Sequence, residues 1–171
     1  MRHSSDGIAI DQLALAILHS HEGIVLVQQQ HSAGSSPYWV VPGGLVEAGE
    51  LVIDALMREV REEAGVEIDA LARLVCVSQI DRPQHQAQTI AFIFELEAWH
   101  GTLAVKDPDR EVLEVALVPR REAIERLQRN GGWRGIQEPL LAYLHGDRNA
   151  GGMWFYRDTG DGQHLVTHVH H

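Results

Sequence analysis

The stretch "GLVEAGELVIDALMREVREEAGV", residues 44–66, places three glutamates within five positions just before a glycine. Residues 50–64 are rich in good helix formers and Gly65 is a typical helix stop, so the pattern predicts a helix. Glu59, Glu62 and Glu63 then lie three and four residues apart, where each like-charged pair costs ~0.2–0.5 kcal/mol. Carboxylates in the last turn also oppose the helix dipole, at a further ~0.3–1 kcal/mol each. A positive charge is therefore expected to compensate them.

The predicted helix sorts its residues onto three faces at about 100° per residue. The three glutamates form a carboxylate face, and Arg58 stands one turn before Glu62, where it can pair with that side chain. Asp54 and Arg61 fall on a solvent face. The predicted core face holds Ile53, Leu56, Met57, Val60 and Ala64.

The spacing of this stretch resembles the signature of the Nudix hydrolase family, G-x5-E-x7-R-E-U-x-E-E-x-G-U, where U is an aliphatic residue. Every fixed position is matched, by Gly44, Glu50, Arg58, Glu59, Val60, Glu62, Glu63, Gly65 and Val66. The resemblance implies hydrolysis of a diphosphate linkage in a nucleoside diphosphate joined to another group, with release of a nucleoside monophosphate and a phosphorylated product. It leaves that other group open among nucleoside triphosphates, ADP-ribose, nucleotide sugars, dinucleotides and damaged nucleotides.

The resemblance also implies a metal site. Its ligands would be Glu59, Glu62, Glu63 and the backbone carbonyl of Gly44, with Glu50 and Arg58 orienting them. Oxygen ligands on a rigid helix suit a hard divalent cation, Mg²⁺ with Mn²⁺ as a substitute. Such a cation would offset the repulsion among the carboxylates, neutralise phosphate charge and orient a water.

The general base is expected either within the signature, at Glu59, or on a later loop. In "DPDREVLEVALVP", residues 107–119, the candidates are Glu111 and Glu114. Glu114 lies within a predicted strand, so Glu111 is favoured.

The flanking segments predict strands and helices in the order of an α/β sandwich with a mixed sheet, the architecture that the resemblance also implies. Strands are predicted over residues 13–18, 23–29, 38–41, 71–80, 88–99 and 113–119, and helices over 120–129 and 136–146. The first two strands are expected to pair with each other, and Pro139 is expected in the first turn of the last helix. Trp39 either stacks on a nucleobase or packs its loop against the sheet, and the second interpretation is favoured.

Residues 146–171 follow the predicted Nudix domain, which we assign to residues 1–145. "MWFYR" and "HLVTHV" are strand-like and flank the turn "DTGDG", which predicts a β-hairpin. His164, His168 and His170 are expected to project from one face of its second strand. Because apolar residues lie on both faces, the hairpin should pack on the domain or on a second subunit, and a homodimer is predicted.

The net charge of −10 argues against nucleic acid or an anionic membrane as a partner, since both attract basic surfaces. The apolar segment near the N-terminus is interrupted by Asp11 and Gln12, and Cys76 can form no internal disulfide. We therefore expect a cytoplasmic protein. The alternative to an enzyme is a nucleotide-sensing domain of the same fold, but such domains usually lose the acidic residues that are all present here.

Overall fold

The computed structural model describes residues 7–30, 34–129 and 132–170, without the side chains of Leu71, Ala72 and Glu97. The strands are β1 (Ala9–Leu18), β2 (Ile24–Gln29), β3 (Tyr38–Val40), β4 (Gly43–Leu45), β5 (Val66–Arg82), β6 (Ala87–Gly101), β7 (Val112–Val118), β8 (Gly152–Asp158) and β9 (Gln163–Val169). The helices are α1 (Val52–Glu59), α2 (Arg120–Gln128) and α3 (Arg134–Leu144). A π turn, Val60–Ala64, continues α1, and a short 3₁₀ turn, Pro83–His85, joins β5 to β6.

The strands form two sheets. The large sheet has six strands in the order β4-β1-β6-β5-β8-β9, and the small sheet has three in the order β3-β2-β7. β1 runs parallel to β6 and β5 runs parallel to β8, whereas β5 and β6 form an antiparallel pair. The predicted α/β sandwich with a mixed sheet is therefore confirmed.

β1 and β2 do not pair as predicted. They belong to different sheets, and their backbones pair only at an isolated bridge between His19 and Ile24. β1 instead pairs along its whole length with β6, and both faces of its second half are buried. The chain crosses to the small sheet at Gly23, where a Cβ would stand 1.9 Å from the Val118 carbonyl oxygen.

Two apolar clusters lie on opposite faces of the large sheet. One cluster packs under α2 and α3 and includes Ile17, Ile80 and Leu140. The other packs under α1 and includes Leu56 and Val60. Helices therefore cover both faces of β1 and β6, and the end of α1 is held against the sheet.

The helix of the opening stretch ends at Gly65, which adopts the left-handed conformation at φ 77°. Leu56, Val60 and Ala64 are fully buried as predicted, but Met57 is 37% exposed and Ala55 is buried instead. The π turn changes the angular phase after Glu59, because it holds more residues per turn than an α-helix. Glu63, which was assigned to the carboxylate face, points inward and is only 6% exposed, because it lies seven residues, about two helical turns, after the buried Leu56.

α3 begins at Arg134, two residues earlier than predicted, so Pro139 lies inside the helix and not in its first turn. The earlier start coincides with tight packing at Gly135, where a Cβ would stand 2.6 Å from the Ile80 side chain. None of the helices in the described ranges has the length and apolarity needed to cross a lipid bilayer.

The C-terminal hairpin is present, as β8 and β9. It extends the large sheet, because β8 pairs in parallel with β5 and buries Trp154 and Tyr156. The histidine prediction was wrong in one respect. A bulge between Phe155 and Tyr156 shifts the register, so that His168 stands opposite Trp154 and His164 stands opposite Arg157, on the other face.

Candidate active site

The site begins where β4 meets the last turn of α1. Gly44 pairs with Ala14 of β1, and its Cα lies directly against the Glu59 carboxyl group. A Cβ at Gly44 would stand 2.5 Å from Glu59 Oε1 and 2.8 Å from Oε2. Only glycine at this position leaves the Glu59 carboxylate where it is.

Arg58 connects the helix to the loop that precedes it. Its Nε donates to Glu50 Oε1 at 3.0 Å and its Nη2 donates to Glu50 Oε2 at 2.9 Å, a bidentate pair. Nη2 also donates to the Leu45 carbonyl at 2.9 Å, while Glu50 Oε2 accepts from the Glu47 N–H at 3.0 Å. The hydrogen bond from Arg58 lowers the pKa of Glu50. The loop and helix are therefore held together by one guanidinium group.

The same guanidinium supplies the positive charge that the crowded glutamates require. Arg58 Nη1 lies 2.7 Å from Glu59 Oε1 and 3.5 Å from Glu62 Oε2. The predicted contact between Arg58 and Glu62 is thus present, but its closer partners are Glu50 and Glu59.

Glu63 is the most buried of the three carboxylates. Its Oε2 accepts from the Gly43 N–H at 2.8 Å and its Oε1 accepts from Gln29 Nε2 at 2.5 Å. Burial raises the pKa of Glu63 to about 8, and the negative charge of Glu59 acts in the same direction. Burial also raises the pKa of Glu59, despite its contact with Arg58. Both carboxylates therefore ionise at a cost that a nearby cation would offset.

The two loop candidates for the general base are placed differently. Glu114 is exposed on β7, opposite Gln28. Glu111 lies just before β7, where its carbonyl accepts from the Gln30 N–H at 2.8 Å. Burial raises the pKa of the Tyr38 hydroxyl, and the negative charges of Glu111 and Glu63 act in the same direction. Glu111 is therefore the loop candidate on the side of the signature glutamates.

Sequence reasoning missed three residues around the site. Gln29 contacts Glu63, and the Tyr38 hydroxyl donates to Gln29 Oε1 at 2.9 Å. Asp107 accepts hydrogen bonds from the N–H groups of Glu111 and Val112 at 2.7 and 2.9 Å. Its negative charge adds to the burial that raises the pKa of Glu63. The pattern "DPDR", residues 107–110, is a local turn signal that could have identified Asp107. Gln29 and Tyr38 carry no such signal, because only the strand pairing brings them to the helix.

The side chains fit a hard divalent cation. The donors that converge near the helix end are carboxylate oxygens, and the Gly44 backbone lies against one of them. Within the ranges described, the carboxylates do not form a ready-made cluster of three ligands. Arg58 holds Glu59 and Glu62, while Gln29 and Gly43 hold Glu63. Glu62 has the most exposed side chain of the three, and its carbonyl accepts from the Lys106 N–H at 2.7 Å.

Trp39 packs against the protein, as favoured from the sequence. The Arg126 guanidinium of α2 lies over its indole ring, 4.3 Å from the centroid. The indole also packs against the cluster under α2 and α3. This arrangement joins β3 to the rest of the domain and accounts for the aromatic residue before the glycines.

Comparison with known proteins gives one family. The sequence model of the NUDIX domain matches residues 11–143. The 8-oxo-dGDP phosphatase NUDT18 of Mus musculus is 32% identical over 111 residues, covering 63% of this chain and 32% of that protein. The ADP-ribose pyrophosphatase of Methanocaldococcus jannaschii is 29% identical over 104 residues, covering 61% and 58%. The chain thus spans about a third of the mammalian relative's length.

Solved structures show the same fold. The MutT protein from Bacillus halodurans superposes with a TM-score of 0.68 at 21% identity, covering 93% of this chain and 96% of that one. The ORF135 protein of E. coli superposes with a TM-score of 0.65 at 22% identity, covering 82% and 95%.

Proposed function

The chain belongs to the Nudix hydrolase family, and on that basis we propose that it is a pyrophosphohydrolase. Its substrate would be a nucleoside diphosphate derivative, cut at the diphosphate linkage into a nucleoside monophosphate and a phosphorylated product. One observation carries the proposal. The Glu59 carboxylate lies against the Gly44 backbone, beside the buried Glu63, and these are three of the four ligands that the family resemblance implies.

We propose that Glu59, Glu62, Glu63 and the Gly44 carbonyl hold Mg²⁺, with Mn²⁺ as a substitute. When bound, the cation would neutralise phosphate charge and make a water more acidic. Arg58 stays outside this set, because its bidentate partner is Glu50. Its role would be to fix the loop against the helix, so that the Gly44 backbone and the Glu59 carboxylate keep their positions.

Glu111 is proposed to accept the proton of the attacking water. The loop that carries it is fixed at two points, by the Gln30 N–H on its carbonyl and by the Asp107 carboxylate on its own N–H. Its side chain is exposed, so water can reach it. Glu59, inside the signature, is the alternative base.

The relatives suggest which compounds to test first. Their names record activity towards 8-oxo-dGDP, ADP-ribose, CTP and ADP-sugars. These compounds, with a dinucleotide, form a panel to be incubated with the protein and Mg²⁺ or Mn²⁺. Products would be identified by mass, with Glu63→Gln as the inactive reference. Release of a nucleoside monophosphate from at least one compound is expected. Binding without turnover across the panel would favour a nucleotide sensor.

We also propose that the chain forms a homodimer and that residues 146–171 contribute to its interface. The support is the exposed apolar surface of the hairpin. Met153, Leu165, Val166 and Val169 are 41%, 38%, 60% and 58% exposed, respectively. β9 lies at the edge of the large sheet, where unpaired backbone groups can accept another strand. A symmetric pair of hairpins would cover the edge and the apolar side chains on the face turned towards the partner.

A further inference from the structure

Glu63 is held by groups that lie outside the signature. Gln29 and Tyr38 are directly opposed residues of the antiparallel pair β2–β3. The Tyr38 hydroxyl donates to Gln29 Oε1 at 2.9 Å, and Gln29 Nε2 donates to Glu63 Oε1 at 2.5 Å. Gln29 is 9% exposed, so water does not compete freely for its amide. A continuous hydrogen-bonded chain thus leads from the small sheet to the end of the helix.

The chemistry of these groups sets the direction of the chain. Glu63 must be ionised to bind a cation, and an ionised carboxylate only accepts hydrogen bonds, so in that form Gln29 presents its NH₂ group to Glu63. Its carbonyl oxygen then faces Tyr38, whose hydroxyl has to donate. The Gly43 N–H contacts the other carboxylate oxygen at 2.8 Å. Each oxygen of Glu63 therefore has one donor within the protein and keeps acceptor capacity for a further partner.

We infer that Gln29 and Tyr38 are positioning residues, which fix the Glu63 carboxylate in the orientation that binds a divalent cation. This inference rests on the proposed function. In this role Tyr38 acts through the Gln29 amide, and Gln29 acts on the carboxylate itself. Neither residue is required for contact with the substrate in this role. Loss of either should weaken cation binding and lower kcat at a cation concentration that does not saturate the site.

The test is a titration of the full chain with Mn²⁺ alone, followed by electron paramagnetic resonance of the free ion. Gln29→Met keeps the length of the side chain and removes the donor. It should weaken Mn²⁺ binding ~10–100-fold, the usual range for groups that orient a metal ligand. Tyr38→Phe should weaken it less. In the Gln29→Met background, Tyr38→Phe should have no further effect, because the link through which it acts is gone.

Gln28→Met is the matched control, since neighbouring strand residues point to opposite faces of the sheet. It should bind Mn²⁺ as the wild type does. Wild-type affinity in Gln29→Met, or an equal effect of Tyr38→Phe in both backgrounds, would overturn the inference. If Gln29→Met does not fold, Tyr38→Phe carries the test, and wild-type affinity in that variant overturns the inference.

Glu63→Gln separates this inference from the proposed function. Loss of Mn²⁺ binding in Glu63→Gln with full binding in Gln29→Met refutes only the positioning role. Full binding in Glu63→Gln refutes the metal assignment and the positioning role together. On any compound of the panel that is turned over, a change in KM with kcat unchanged would also contradict the positioning role.

Discussion

The Glu59 carboxylate occupies the space that a side chain at Gly44 would need, with 2.5 Å between a Cβ there and Glu59 Oε1. Gly44→Ala should therefore displace the carboxylate and leave the backbone in place, because the end of a side chain moves more easily than a strand. We expect at least ~10-fold weaker Mn²⁺ binding, comparable to other changes around a metal ligand. The melting temperature without metal should change little. Gly132→Ala is the control, since its Cβ would lie in ordinary van der Waals contact, 3.9 Å from Gln137 Nε2.

The stability of the metal-free protein should depend on the protonation of Glu63. Its pKa is raised by burial to about 8 in the folded state from its ordinary value of 4.5, so between these two pH values the folded state holds a proton that the unfolded state has lost. This contribution to stability is complete below pH ~4.5 and is lost as the pH rises through ~8. One proton corresponds to a slope of about 1.4 kcal/mol per pH unit. Urea unfolding from pH 5 to 8 should show a decline that Glu63→Gln lacks. Equal slopes in the two proteins would contradict the assignment.

The hydrogen bonds between Arg58 and Glu50 should depend on guanidinium geometry. Arg58→Lys keeps the charge but loses the bidentate contact and the bond to the Leu45 carbonyl, so we expect a loss of ~1–3 kcal/mol in the free energy of unfolding. Arg61→Lys is the matched control in the same helix region. Arg61 pairs with Glu67 at 2.7 Å, but both side chains are about half exposed, and such pairs contribute ~0–1 kcal/mol. Equal losses in the two variants would show that the contact to Glu50 has no special role.

Glu111→Gln tests the general base. If Glu111 accepts the proton, kcat should fall ~10²–10⁴-fold with little change in Mn²⁺ affinity. Glu114→Gln is the control, because Glu114 is exposed on β7 in a neighbouring part of the chain. If Glu111→Gln keeps the wild-type kcat while Glu59→Gln lowers kcat at saturating Mn²⁺, the base lies inside the signature.

The dimer proposal calls for a point substitution, because removing residues 146–171 would strip two strands from the large sheet. Val169→Glu adds a charge to an exposed hairpin residue and should shift the mass measured by light scattering towards the monomer. Leu113→Glu is the control, since Leu113 is 50% exposed but lies on β7. A monomeric wild type would refute the proposal outright. A dimer that withstands Val169→Glu would move the interface elsewhere.

The sequence predicted what is local and missed what depends on distant pairing. The helix, its stop at Gly65 and the hairpin were predictable because propensity, spacing and turn residues act over a few positions. The pairing of β1 with β6 was not predictable, because the short polar connection between β1 and β2 is also typical of a hairpin.

The same distinction holds within the site. Arg58 and the signature glutamates were identified from spacing, and the structure brings Arg58, Glu59 and Glu62 into contact. Gln29 was missed because it reaches Glu63 only through the packing of the small sheet against the helix. His164 was predicted on the same face of β9 as His168. The bulge opposite Phe155 and Tyr156 adds one residue to β9, which moves His164 to the other face. Each error arose where tertiary contacts outweigh local pattern.

The parallel pairing of β5 with β8 has a consequence for the order in which the chain folds. During synthesis β5 can pair with β6 at once, but its other edge has no neighbour until β7, α2 and α3 have been made. Pairings between distant segments form slowly, because the loop between them must first be closed at an entropic cost. A nascent chain would therefore present an open β5 edge for that whole interval. We expect a synthetic peptide with the sequence of β8 to reduce aggregation during refolding, because it would occupy the β5 edge before the chain's own β8 pairs there.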